Sequence, residues 1–131
     1  MIDQLARAWI GVPWKHLGRS KSGVDCIGLV LLVLHEAGFQ IPDPKPYTRD
    51  PDGTKLTDGV TRYSTRDQLV PGRVILFRAG AVSAHVGLSS LNPNTGVLSV
   101  IHAYAPYRKV VEQPFDDFFR AGFAGAYMPR L

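Results

Sequence analysis

The chain has 131 residues, 45% of them hydrophobic and 20% charged, with a formal net charge of +4. That length suits one domain, residues 1–131, able to bury roughly two-thirds of the surface its unfolded chain exposes without help from a disulfide or a metal. A single cysteine excludes an internal disulfide, and scattered Lys and Arg without interleaved aromatics argue against a nucleic-acid partner.

The N-terminus, Met-Ile-Asp-Gln-Leu-Ala-Arg-Ala-Trp-Ile, lacks a basic start followed by an apolar core, so no signal peptide is read there. Apolar residues at Ile2, Leu5, Ala6, Trp9 and Ile10 predict a helix over 2–10, ended by Gly11 and Pro13. A loop rich in Gly, Ser and basic residues follows, over 15–23. Residues 25–38 then predict a helix: the run is Leu-rich, too long for a typical strand, and stopped by Gly38. Its apolar residues surround the axis, so it is the buried central helix, with Asp25 as N-cap candidate and His35 where a cation suits the C-terminal dipole. The longest apolar run inside it, 27–34, is far too short to span a bilayer.

Residues 39–68 are proline-rich, without a clean period, and admit a short helix over 54–63. From Leu69 onward the pattern is β. Strands are predicted at 73–78, 84–88, 97–103, 108–112 and 124–128, with a hairpin turn at 92–96 and a short helix at 115–120. The fold class is α+β: a buried helix in the N-terminal half, then a mainly antiparallel sheet.

The candidates for chemistry are one thiol and four histidines. Cys26 falls at the start of the buried helix, where free N–H groups and the positive end of the dipole lower a thiol pKa and can hold an oxyanion. Such a nucleophile needs a base, and the base an orienting partner. His85 and His102 lie on runs joined by a turn, so adjacent antiparallel strands would let one imidazole bond the other. Two other readings stay open: Cys26 as a small core residue, and Cys26, His85 and His102 as a metal site, although no short paired ligand spacing supports the latter.

The segments Trp9-Ile-Gly-Val-Pro-Trp-Lys-His-Leu-Gly-Arg-Ser and Gly23-Val-Asp-Cys-Ile-Gly-Leu29 resemble the opening motif of the NlpC-type cell-wall peptidases, which have a papain-like fold. Pro71 to Phe77 is similar to that family's first sheet strand, Ala84-His-Val-Gly-Leu88 to the strand bearing its base histidine, Ile101-His-Ala103 to the strand bearing the third residue, and 121–128 to the closing strand. Pro13-Trp-Lys-His16 and Ile101-His-Ala-Tyr104 resemble elements of the compact peptidases of phage tails and gene transfer agents. The resemblance implies a thiol peptidase that hydrolyses an amide bond of the peptidoglycan stem peptide, typically the γ-D-glutamyl to diamino acid link, with no metal or organic cofactor. Cys26 would be nucleophile, His85 general base and His102 its orienting residue. Asp25, which could hold a substrate amine or simply cap the helix, Trp14, which stands where the family usually has tyrosine, and His16 are the candidate substrate contacts. The implied setting is synthesis in the cytoplasm and action at the wall within a phage-like tail, with tail proteins as partners. The alternatives are a structural tail-assembly protein of the same fold, and an amidase or deamidase acting on a non-wall substrate.

Overall fold

The computed structural model describes residues 1–48, 54–79 and 82–131. Its elements in chain order are α1 (Ile2–Arg7), β1 (Arg19–Ser20), β2 (Gly23–Val24), α2 (Cys26–Glu36), α3 (Thr54–Tyr63), β3 (Ser64–Asp67), β4 (Val74–Ala79), β5 (Val82–Leu91), β6 (Leu98–Tyr104), a 3-10 turn (Ala105–Tyr107), β7 (Lys109–Pro114), α4 (Asp117–Ala121) and β8 (Phe123–Pro129). The large sheet has six strands in the order β3-β8-β4-β5-β6-β7, and every neighbouring pair is antiparallel. The α+β expectation therefore holds.

Helix α2 is specified at both ends. Asp25, in extended conformation, accepts the Gly28 N–H at 2.7 Å, satisfying one of the orphan donors of the first turn. At the other end Gly38 adopts φ +100°, its N–H meets the His35 carbonyl, and the Phe39 N–H meets the Leu34 carbonyl. This is a Schellman ending, and the left-handed position favours glycine. Between the caps Leu29 and Val33 are fully buried, with Val30, Leu31 and Leu34 nearly so. His35 uses Nε2 on the Ile41 carbonyl at 2.7 Å, tying the helix end to the next segment rather than to its own last carbonyls.

The sheet alternates between two cores, as a pleated strand must. Val74, Leu76, Val86, Leu88, Ile101 and Ala103 belong to one cluster with Leu29, Val33 and Ala6, on the face covered by α1 and α2. Ile75, Phe77 and Val100 belong to a second cluster with Phe115 and Phe119, on the face covered by α4. Asp116 caps that short helix through the Phe118 N–H.

Three details differ from the sequence reading. The first helix stops at Arg7, because Gly11 donates to the Val110 carbonyl and Val110 to the Val12 carbonyl, which draws the chain off the helix and onto β7. The 15–23 loop contains the β1–β2 hairpin. The helix over 54–63 is present and is followed by an unforeseen edge strand, β3, while residues 49–53 lie outside the described residues. Among the described residues no helix is long and apolar enough to cross a membrane.

Candidate active site

Glycine sets how closely α2 can approach its surroundings. A Cβ on Gly28 would lie 2.3 Å from the Gly18 carbonyl oxygen, so only glycine lets the first turn of the helix press against the β1–β2 hairpin. This packing presents Cys26 at the first helical position, half-buried. Of the leading amides, that of Gly28 goes to the Asp25 side chain and that of Leu29 to the Asp25 carbonyl. The N–H groups of Cys26 and Ile27 act instead on the sulfur, together with the Val86 N–H. That last contact sets the thiol against β5, one residue past His85.

Cys26 departs from the expectation of a lowered pKa. Burial, followed by the neighbouring Asp25 charge, pushes the thiol up to about 11 against the three amides that favour the thiolate. Desolvation outweighs the helix start here, so the resting sulfur is a neutral thiol.

The histidines meet as their strands suggest. His85 Nε2 lies 2.6 Å from His102 Nδ1, and His102 Nε2 lies 2.7 Å from Gln113 Oε1 on β7. The β5–β6 ladder runs from Leu88↔Ile101 to Leu91↔Leu98, while β6 continues to Tyr104 along β7. The rings meet just beyond the end of that ladder. Gly87 makes room for them: a Cβ there would stand 2.8 Å from Val100 Cγ2 and 3.0 Å from His102 Cβ.

This hydrogen-bond chain dictates the tautomers. An amide oxygen only accepts, so with Gln113 Oε1 facing it His102 Nε2 carries hydrogen. His102 Nδ1, in a neutral ring, is then an acceptor and takes the proton of His85 Nε2. His85 Nδ1 is left bare and able to receive a proton, which is what a general base requires. Both rings are held neutral. Burial, then His102, pulls His85 down to about 3, and burial pulls His102 down to about 4 against the opposing bond from Gln113. Phe77 stacks on His85 at 5.9 Å, and Tyr104 on His102 at 4.8 Å. Among the described residues no hydrogen bond joins the thiol directly to His85.

Asp25 is 3% exposed and engaged at both oxygens. Oδ1 accepts from the Gly28 N–H and from Arg19 Nη1 at 3.2 Å, and Oδ2 from the Leu17 N–H at 2.9 Å and the Tyr47 hydroxyl at 2.5 Å. These bonds fit the capping role and leave the carboxylate no open side for a substrate amine. Trp14 is half-buried, bridged to Val24 through its backbone and donating its N–H to the Arg108 carbonyl. His16 is exposed, with its ring edge-on to Tyr47 at 5.9 Å. Gln113, Arg19 and Tyr47 escaped the sequence reading. Strand alternation would have put Gln113 on the His102 face had the β6–β7 register been known. Nothing in the proline-rich segment marks Tyr47. Among the described residues no group of three or more His, Cys, Asp or Glu is gathered as a metal ligand set.

Comparison with known proteins agrees with this architecture. The chain is 29% identical over 92 residues to the probable endopeptidase NlpC of Escherichia coli K12, a match covering 69% of this chain and 54% of that protein. It is 33% identical over 89 residues to the murein DD-endopeptidase MepS/murein LD-carboxypeptidase of the same strain, covering 67% and 42%. The chain thus spans about half the length of the curated relatives it matches. The crystal structure of the NlpC/p60 domain of the peptidoglycan hydrolase SagA superposes with TM-score 0.62 at 21% identity, covering 97% of this chain and 95% of that one. An N-acetylmuramoyl-L-alanine amidase from Bacteroides uniformis superposes with TM-score 0.67 at 13% identity, covering 98% of each. These two likenesses are of fold alone, and they match the papain-like arrangement of a cysteine-bearing helix on an antiparallel sheet. The NlpC/P60 family model matches residues 11–122, and the chain belongs to that family.

Proposed function

We propose that this chain is a cysteine peptidase that hydrolyses an amide bond in peptidoglycan stem peptides, at the γ-D-glutamyl to diamino acid link. The observation that carries the reading is the His85–His102–Gln113 chain, which leaves His85 Nδ1 unprotonated on the strand the Cys26 thiol touches. Family membership and the endopeptidase relatives supply the substrate class.

In this reading the thiol proton passes to His85 Nδ1 as the sulfur adds to the amide carbonyl, and the oxyanion is met by the Cys26 and Ile27 amides. His85 then gives the proton to the leaving amine as the C–N bond breaks, leaving a thioester. Water, deprotonated by His85, adds to the thioester, and the thiol leaves with its proton restored. His102 holds the base in its tautomer throughout. Because thiol and imidazole both rest neutral, the ion pair forms on substrate binding rather than before it. The setting we propose is the cell wall, reached as part of a phage-like tail, which rests on the resemblance of residues 13–16 and 101–104.

The test is a digest of purified peptidoglycan and of free stem peptides by wild type and Cys26→Ser, read by mass spectrometry. Fragments from wild type alone, with a loss on the order of a thousandfold or more in the variant, are expected and identify the bond. Folded wild type that releases nothing from either substrate would overturn the proposal.

A further inference from the structure

Around the start of α2 lies a polar cluster that the catalytic reading does not use. Arg19 of β1 makes a bidentate pair with Asp43, Nε to Oδ2 at 2.8 Å and Nη2 to Oδ1 at 3.1 Å. Its Nη1 donates to Asp25 Oδ1 and, at 2.9 Å, to the Gly18 carbonyl; its Nη2 also donates to the Tyr47 hydroxyl at 2.9 Å. Tyr47 passes its own hydroxyl hydrogen to Asp25 Oδ2 at 2.5 Å. The phenol is therefore an acceptor from a cation and a donor to a carboxylate. Such charge-assisted bonds are about twice as strong as neutral ones, and the low local dielectric strengthens them further.

Asp25 immediately precedes the nucleophile in the chain and caps its helix. From the hydrogen-bond geometry we infer that Tyr47 is a positioning residue for Cys26, acting through the Asp25 carboxylate that it shares with Arg19. It makes no hydrogen bond to the thiol, His85 or His102 and acts in two ways. It fixes the cap, and with it the direction of the Cys26 and Ile27 amides. It also draws Asp25 charge toward itself and away from the sulfur beside it. The inference rests on Cys26 being the nucleophile, and it assigns a function to a loop that sequence pattern leaves blank.

Proton affinities agree with the geometry. Asp25 is one of the two influences that push the Cys26 thiol up. Burial and then the Asp25 bond push the Tyr47 phenol well above its ordinary range, so it stays a donor. Burial alone would lower Arg19, but Asp43, Tyr47 and Asp25 hold it charged. The ionisable groups around the thiol are thus Asp25 and Arg19 from the turn and β1, Asp43 and Tyr47 from the loop with His16 edge-on to Tyr47, and His85 with His102 from the sheet.

Alkylation by iodoacetamide reads the thiol without any wall substrate, so this test stands even if the peptidase reading fails. Rates would be taken between pH 6 and 10 on the full chain, for wild type, Tyr47→Phe, Asp25→Asn and the double variant. Tyr47→Phe keeps the ring and removes only the hydroxyl. Its alkylation at pH 8 should be about fivefold slower than wild type, with the profile moved to higher pH, because less of the Asp25 charge is compensated. Turnover of stem peptide should fall by a similar factor in kcat with KM within about twofold. In the Asp25→Asn background, where asparagine still caps, the same substitution should have no further effect. If Tyr47→Phe does not fold by circular dichroism, Asp43→Asn frees Arg19 to compensate more of the Asp25 charge and should move the profile to lower pH. Overlaying profiles for wild type and the variant, or an undiminished shift without the Asp25 charge, would overturn the inference.

Discussion

The two faces of the sheet are built from different materials and do different work. The face under α1 and α2 is aliphatic, with Leu29, Val33, Leu88 and Ile101 all fully buried. The face under α4 is largely aromatic: Phe77 packs on the half-buried His85 and Phe119 on the fully buried His102, with Phe115 behind them. Aliphatic packing holds the cysteine helix against the sheet and is indifferent to charge. Burial among these rings lowers the proton affinity of both imidazoles, with His102 adding to the effect on His85 and Gln113 opposing it on His102. Alternate residues of β5 thus face different partners, Val86 and Leu88 the aliphatic cluster that also packs the Cys26 helix, and His85, the base in the proposed mechanism, the aromatic cluster.

That division can be broken most sharply by substituting both kinds of residue on β5. His85→Ala should lower kcat on stem peptide about a thousandfold, within the range of lost general-base catalysis, and leave the urea midpoint close to wild type. Leu88→Ala should do the reverse, losing about 2–5 kcal/mol of stability while each folded molecule keeps its turnover. Turnover per folded molecule and urea denaturation, measured on both variants, decide the matter. If Leu88→Ala costs as much kcat as His85→Ala at equal folded fraction, the faces are not separate.

Gln113 offers a finer cut within the aromatic face. Gln113→Leu removes the acceptor that fixes His102 Nε2–H, so the rings can adopt either tautomer pair and only one leaves His85 Nδ1 bare. The expected result is about a tenfold fall in kcat with little change in KM. Gln113→Glu, which still accepts from Nε2, should recover most of the rate. Equal losses in the two variants would mean that Gln113 matters for packing alone.

Much of this was legible beforehand because it depends on local chemistry. Asp25 before an apolar run and Gly38 after it mark α2, and the 92–96 turn marks the hairpin that brings His85 and His102 onto neighbouring strands. What was hidden depends on register and on contacts distant in sequence. Gln113 meets His102 only because β6 and β7 pair with Val100 opposite Gln113. Tyr47 reaches Asp25 from 22 residues away in the chain, out of the proline-rich segment that has no period to read. The thiol misled the sequence reading for a different reason: the helix start does favour the thiolate, but burial depends on tertiary packing and outweighs it.

The electrostatic side of the contrast is read from stability in mild acid. His85 and His102 titrate near 3 and 4 in the folded chain and near 6.5 when unfolded. Below pH 6.5 the unfolded state therefore takes up protons that the folded state refuses, so stability present above that pH drains away as pH falls toward 4 and then 3. Asp43 and Asp67 also lose native interactions on acidification, but both are held below the ordinary carboxylate range and so contribute mainly under pH 4. Urea midpoints between pH 7 and 4.5 thus isolate the imidazoles, and about 2 kcal/mol should be lost per histidine over that interval. His85→Gln with His102→Gln should flatten the slope, whereas Leu88→Ala, on the aliphatic face, should lower the whole curve without changing its slope. A double-glutamine variant as acid-sensitive as wild type would place the proton uptake elsewhere and remove the electrostatic half of the contrast between the two faces.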